Sequence, residues 1–538
     1  MNLVKSFVAL CCVVCFLSTT AFGQSVKVPG SDNQWPMSGG PDGSWQVETK
    51  LEVPTQWSVR DNKNIKWKKT LPEGGQSGIA VWDDFVFLTI NPPIPLSERE
   101  KAPAEPKVKP GSKRRGQLDG VKSADIVLMC INADTGATLW ERTIKGLLSS
   151  AYQYGFSDST TPCPVTDGKF VWAINSSGGM ACYTVAGELV WERTWMPIDG
   201  GQPFNKQFDS IMFENLILNM EPPAEGDTTR KPNWNYLHAF DKTTGDRLWV
   251  TEDALTYYSA PVLGETAAGV PAVLIARGGP HKVPERPVGL SLINLSADKA
   301  GEALWRWTPP EQSNKIAGWG ALSTHHWDKD KASWFYHSTD HLTIDTNTGK
   351  LKSQHALKPA IQQVYDASKQ AYEIKEDADI SKWEGQRHCN ISCGDYVFYM
   401  IRYQPFLVRH NVVTGKTEHL QVPRELDDDG KFIWDEKQKN DGLNSRGQRQ
   451  TEDRRTLGGG FQKCFLGSPT RVNNYVFFTN AVGIVYVIDM NAETFDKSAL
   501  VAVNDLGKRG ETWTVNSMSF AKGRIFHRTM KELICIGK

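Results

Sequence analysis

Residues Asn235 to Val250, NYLHAFDKTTGDRLWV, read as one complete strand–turn–strand unit. Leu237, Ala239 and Asp241 alternate with His238 and Phe240, the period of a strand with two distinct faces. Thr243-Thr244-Gly245 then makes a turn in which Gly245 supplies a positive φ and Asp241 accepts hydrogen bonds from the turn's N–H groups. Leu248-Trp249-Val250 starts the next strand. A lone hairpin cannot bury its own faces, so the number of copies decides the fold.

The unit recurs. An Asp or Asn precedes the turn glycine at a fixed offset in Asn132 with Gly136, Asp241 with Gly245, Asp345 with Gly349 and Asn411 with Gly415; Asn294 and Asp489 are looser members. Because Asn serves as well as Asp, the column caps turns and does no acid chemistry. A second column follows the glycine at its own fixed offset: Trp140, Trp191, Trp249 and Trp305 after Gly136, Gly187, Gly245 and Gly301. Each hairpin follows an earlier strand pair, as at 160–175, 257–276 and 466–480, so the repeat has four strands, A to D, the unit of a propeller blade. Blades are predicted at about 71–145, 158–195, 205–252, 257–308, 317–355, 386–422 and 462–503. Trp513 to Lys538 supplies only three further strands, and Asn64 to Lys69, with Trp67, supplies the missing fourth. The prediction is an all-β, eight-bladed β-propeller of four-stranded antiparallel blades (64–538), closed by an N-terminal strand that completes the last blade and leaves no open edge. Before it, 24–63 forms an N-terminal arm, whose QWPMSGGPDGSW (34–45) is too rich in Gly and Pro for a regular strand and packs its tryptophans on the disc.

Composition agrees: 19 Trp, 46 Gly and 29 Pro suit short strands between turns. The formal net charge of zero gives no electrostatic case for nucleic acid or an anionic membrane as partner. Lys5, the apolar run from Val8 to Leu17 and the small-residue site Ala21-Phe22-Gly23 read as a secretory signal peptide over 1–23, which predicts a periplasmic or extracellular protein. No later stretch is apolar enough for a transmembrane segment in the mature chain. Seven cysteines follow the signal, an odd number. Cys130, Cys182 and Cys535 fill the slot that Ala239 has in the opening unit, so they are read as small buried residues. Cys389 and Cys393, on one strand, would stand about 13 Å apart, too far for a disulfide.

In a four-stranded blade the A–B and C–D turns lie on one face, and the B–C loops and D–A connections on the other. The long loops, 91–122, 221–233, 278–288, 354–387 and 423–462, all fall on the second face, which suggests a lid over the central funnel. Within them, the basic, Pro-rich Lys101 to Arg115 reads as a solvated linker, and Glu425 to Asp441, despite Asp427-Asp428-Asp429-Gly430, as a charged and partly helical surface loop, not a calcium site. The starts of the A strands point at the funnel mouth. They nominate Gln76, Asp158, Asp209, Tyr257, Trp319, Arg387, His388, Lys463 and Trp513, with Gln207, Tyr258 and Asn516 beside them: a mixed polar and aromatic lining suited to a polar ligand. His325, His326, His337 and His341 are read as core or surface residues, because neighbours such as His325 and His326 point to opposite faces of a strand. No metal site is assigned.

INADTGATLW (131–140) and HAFDKTTGDRLW (238–249) are close to the pattern A-x-D-x-x-T-G-x-x-x-W, and on that pattern nearly the whole mature chain resembles the pyrroloquinoline-quinone-type propellers, with an N-terminus like that of secreted planctomycete-type members. The family includes quinoprotein alcohol and glucose dehydrogenases and also cofactor-free members, such as the propeller lipoprotein of the outer-membrane barrel-assembly machinery. The resemblance implies two functions: a binding scaffold that holds a ligand, partner protein or extracellular polymer through the long-loop face, or a divergent dehydrogenase that oxidises alcohols or sugars with pyrroloquinoline quinone and calcium. The dehydrogenases hold their quinone between a Trp floor and a disulfide of adjacent cysteines, with calcium on Glu, Asn and Asp and an Asp as base. This chain has no adjacent cysteines after the signal peptide and no matching calcium set, so no catalytic residue is carried over.

Overall fold

The computed structural model describes residues 32–93, 124–148, 158–198, 208–255, 260–278, 285–310, 325–328, 330–336, 340–357, 360–376, 389–401, 404–434, 440–447 and 467–538. Eight antiparallel sheets form a ring of blades: 80–144, 165–194, 211–255, 262–307, 326–356, 390–421, 470–505, and an eighth from 519–536 closed by 65–70. Among the described residues no helix is long and apolar enough to cross a membrane. The B and C strands are buried on both sides, as in Ile126–Asn132, because neighbouring blades cover both of their faces. The D strands, such as Leu189–Thr194, alternate half-buried and exposed residues at the rim.

The closing strand Ile65–Thr70 pairs antiparallel with Glu532–Ile536, Trp67 opposite Cys535 and Thr70 opposite Glu532, so the chain ends lock each other in one blade. The Asp/Asn column caps turns as expected: the Oδ1 of Asn132 accepts from the N–H groups of Asp134 and Thr135 at 3.0 and 2.9 Å, and that of Asp241 from Thr243 and Thr244 at 2.8 and 3.1 Å.

The glycine and tryptophan columns meet each other across blades. A Cβ placed on Gly136 would lie 2.7 Å from the ring of Trp67, one on Gly187 2.9 Å from Trp140, and one on Gly245 2.8 Å from Trp191. Trp249 and Trp305 sit likewise on Gly301 and Gly349. Each Trp thus lies on the C–D turn of the following blade, and its Nε1–H reaches a carbonyl there: Trp67 to Ala133 at 3.0 Å, Trp140 to Val185 at 2.9 Å, Trp191 to Lys242 at 3.1 Å, Trp305 to Thr346 at 2.6 Å. The glycines therefore serve twice, adopting positive φ and admitting a flat ring. Behind the rings, Cys130, Cys182, Ala239 and Cys535 pair with Trp140, Trp191, Trp249 and Trp67, which accounts for the small-residue slot.

Three sheets exceed four strands. Gln34–Trp35 pairs with the A strand of blade 1, and Gln46–Val47 runs parallel to that of blade 7. The expectation that 34–45 holds no regular strand is corrected by that short pairing, which the free inner edge of an A strand makes possible. Blade 6 carries an added hairpin, Ala360–Asp366 and Ala371–Lys375, laid parallel on its D strand where a long connection was expected. In the 423–462 loop, Glu425–Leu426 and Phe432–Ile433 form a small hairpin; Asp427 caps its turn by accepting from Asp429 and Lys431, so the described part is strand and turn, not helix.

Candidate binding site on the loop face

The arm from Asp32 to Leu51 runs across the channel on the turn face. Asp32 accepts from Lys522 of blade 8, Pro36 from Thr166 of blade 2, Asp42 from Leu263 of blade 4 and Trp45 from Arg471 of blade 7. Gly43 abuts Pro261 and Ile211, adding blade 3. Trp35, Met37 and Trp45 are buried, each at most 4% exposed. The arm therefore stoppers the turn-face end of the ring, touching the inner strands or turns of blades 1, 2, 3, 4, 7 and 8.

Of the nine nominated residues, Tyr257, Trp319, Arg387, His388 and Lys463 lie outside the described residues, as do Gln207 and Tyr258. The other four separate into three settings. Gln76 and Asp158 come together: the Gln76 N–H donates to Thr160 Oγ1 at 2.7 Å, and Asp158 Oδ1 accepts from the Thr160 N–H and hydroxyl at 2.8 and 2.5 Å. Asp158 Oδ2 accepts from Asn91 Nδ2 at 3.2 Å, while Asn516 Nδ2 donates to the carbonyls of Gln76 and Ser77 at 3.0 and 2.5 Å. This network ties blades 8, 1 and 2 at the mouth.

Asp209 lies deeper. Its Oδ1 accepts the Cys163 N–H at 2.9 Å, and burial raises its carboxyl above the usual range against the opposing bonds of Cys163 and of Ser38 in the arm. It thus belongs to the floor over the stopper, not to the mouth. Trp513 is 3% exposed and packs in the main hydrophobic cluster, its carbonyl accepting from Met530 at 3.0 Å. It is core.

Two residues at the mouth, Arg528 and Glu73, were missed because the nominations were confined to A-strand starts. Arg528 ends the B strand of blade 8, is fully buried, and donates through Nη1 to Ser77 Oγ at 3.1 Å and to the Thr89 carbonyl at 2.7 Å. Burial brings its guanidinium down to about 10, with Asp158 acting the other way. Glu73, 1% exposed, accepts from the Gly74 N–H at 2.9 Å, from Asn444 and from Arg446 at 3.3 Å. The legible signal was a charged residue closing an apolar strand, RIFHR, on the loop face. The segment 440–447 that supplies Asn444 also pairs Asp441 with Lys531 at 2.8 Å and hydrogen-bonds to Thr512, so this loop crosses from blade 6 to the seam of blades 8 and 1.

The histidines are core residues. His325 Nε2 reaches the Leu274 carbonyl of blade 4 at 3.0 Å and His326 Nε2 the Asn390 side chain of blade 6 at 2.8 Å, the opposite-facing pair expected of strand neighbours. Burial lowers both to about 4 and His341 well below the usual value. His337 lies outside the described residues. Among the described residues no three His, Cys, Asp or Glu side chains converge as a metal site.

The sequence matches no family model and no curated protein. Solved structures share the fold. A europium-containing methanol dehydrogenase aligns with a TM-score of 0.51 at 8% identity over 95% of this chain and 99% of that one. Quinohemoprotein alcohol dehydrogenase from Comamonas testosteroni aligns with a TM-score of 0.50 at 12% identity over 94% of this chain and 80% of that one. At such identities the likeness is one of fold, which many unrelated functions share.

Proposed function

We propose that this chain is a secreted propeller that binds a ligand, partner protein or extracellular polymer through its loop face in the periplasm or outside the cell, without redox chemistry of its own. The observation that carries the reading is the division of the two faces: the arm commits the turn face to structure, while a polar network of Gln76, Asn91, Asp158 and Thr160 lies on the loop face. The quinone and calcium implied by the resemblance do not fit the described residues. Asp158, Asp209 and Glu73 are each held by protein donors, no metal-binding trio converges among the described residues, and none of the six described cysteines forms the disulfide such a site uses. The second reading, a quinone-dependent dehydrogenase of alcohols or sugars, is supported by the shared fold alone.

Hydrogen exchange of the mature protein, alone and with alginate, xylan or chitin oligosaccharides, tests the reading. Protection is expected in 221–233, 285–288 and 440–447 and not in the C–D turns. Protection confined to the turn face refutes it. So does pyrroloquinoline quinone that co-elutes with the protein in calcium buffer and supports dye reduction with alcohols.

A further inference from the structure

Arg528 is fully buried, yet only one of its three guanidinium nitrogens is satisfied: Nη1 holds Ser77 and Thr89, while Nε and Nη2 have no hydrogen-bond partner. Those two nitrogens share one edge of the planar group, the edge that meets two oxygens of a single carboxylate or phosphate side by side. Gly75 keeps that edge clear, since a Cβ there would stand 3.1 Å from Nη2 and 2.8 Å from the Thr89 carbonyl oxygen.

Of the two other buried arginines, Arg409 meets Glu418 at 2.8 Å, and Arg277, which has no ion pair among the described residues, donates through Nη2 to the Trp307 carbonyl at 2.8 Å and to Thr308 Oγ1 at 3.1 Å, so that only its Nε lacks a partner. Among the described residues Arg528 has no ion pair. Asp158 is the acid that acts on it, and both Asp158 oxygens are already engaged by Thr160 and Asn91. A buried cation without a partner costs several kcal/mol, and a buried donor left unmade calls for an explanation. An incoming anion supplies both missing bonds and the missing charge.

We propose that the Nε–Nη2 edge of Arg528 is an anion-binding site at the mouth of the funnel, taking a carboxylate or phosphate group in bidentate fashion. The inference rests on the binding reading above and adds to it that the ligand carries such a group.

Thermal unfolding of the mature protein in chloride buffer, with acetate or inorganic phosphate added at matched ionic strength, tests it. At saturation one of the two raises the Tm by about 1–2 °C or more, and which one does so identifies the group. Arg528→Gln abolishes the rise and, in the chloride buffer alone, melts no lower than the wild type, because the uncompensated charge has gone. Should the Gln variant not fold, Arg528→Lys keeps the charge without the fork and weakens anion binding by about tenfold or more. Wild-type protein indifferent to both anions, or a rise retained in the variants, overturns the proposal. Loop-face protection by polymer without an anion response sinks this inference alone, whereas an anion response without such protection sinks the wider binding reading.

Discussion

Gly245→Ala probes whether the repeat's glycine and tryptophan are a single contact. Gly245 has φ +77°, where an L side chain costs about 1–2 kcal/mol. Its new Cβ would stand 2.8 Å from two ring atoms of Trp191, so the ring must move. Displacing it off its rotamer costs about 0.5–1.5 kcal/mol, and weakening its 3.1 Å bond to the Lys242 carbonyl adds about 0.5–1.5 kcal/mol. The total is about 2–5 kcal/mol. Gly394 is the control, because it has φ +62° with nothing within 4 Å of an added Cβ. Gly394→Ala therefore loses only the backbone part, about 1–2 kcal/mol. Urea unfolding followed by circular dichroism measures both. In a Trp191→Ala background the Gly245→Ala loss falls to the control value, a coupling that a double-mutant cycle reads directly. Equal losses at the two glycines, or a Gly245 loss unchanged when the ring is gone, would refute the docking argument.

Two further outcomes follow from burial. His238, His325, His326 and His527 are lowered by burial from 6.5 to about 4, so the unfolded chain binds more protons between those values. Their contribution is intact above about pH 6.5 and is lost as the pH falls through the window, by about 2 kcal/mol each at pH 5. Glu285, raised by burial from 4.5 to about 7, holds its proton in the folded state and offsets about one of them. The urea midpoint should drop by an amount worth about 6 kcal/mol between pH 7 and pH 5; a flat or rising midpoint contradicts this. The described cysteines are all buried, and desolvation pushes the Cys130, Cys182, Cys393 and Cys535 thiols up to about 12. Ellman's reagent should therefore label at most Cys464 in the native protein, and fast labelling of two or more thiols would show that these strands open readily.

The fold was legible because it is written in repeated local signals. Positive φ at Gly136, Gly187 and Gly245, capping by Asn132 and Asp241, and uninterrupted apolar C strands each act within a few residues, and each recurs. Closure was legible because one blade lacked a Trp-bearing strand and the N-terminus held a spare, Trp67. Less of the site could be read, because it has no repeat. Arg528 differs from its equivalents in other blades, and its setting depends on Ser77 and Thr89, more than four hundred residues earlier in the chain. Asp209 and Trp513 sit where an A-strand start should place them, but depth along the channel, which periodicity does not encode, separates a mouth residue from a floor residue and from core. The arm was misjudged for a related reason: Gly39, Gly40 and Gly43 forbid a long strand, yet two residues suffice to pair with an exposed inner edge.

The arm and the closing strand are contiguous, and together they fix what each face can do. Ile65–Thr70 completes blade 8, while the preceding residues reach the inner strands of blades 1, 2, 3, 4, 7 and 8. Both sets of contacts span most of the chain, Thr70 to Glu532 in one case and Asp32 to Lys522 in the other. The same segment that removes the open sheet edge also removes the turn face as a way in. What remains for a ligand is the opposite mouth, where Glu73, Asp158 and Arg528 converge from blades 1, 2 and 8 under the 440–447 loop. At that seam Asp158 and Glu73 are already held by protein donors, whereas the Nε–Nη2 edge of Arg528 is not, and this asymmetry selects an anionic group over a cationic one.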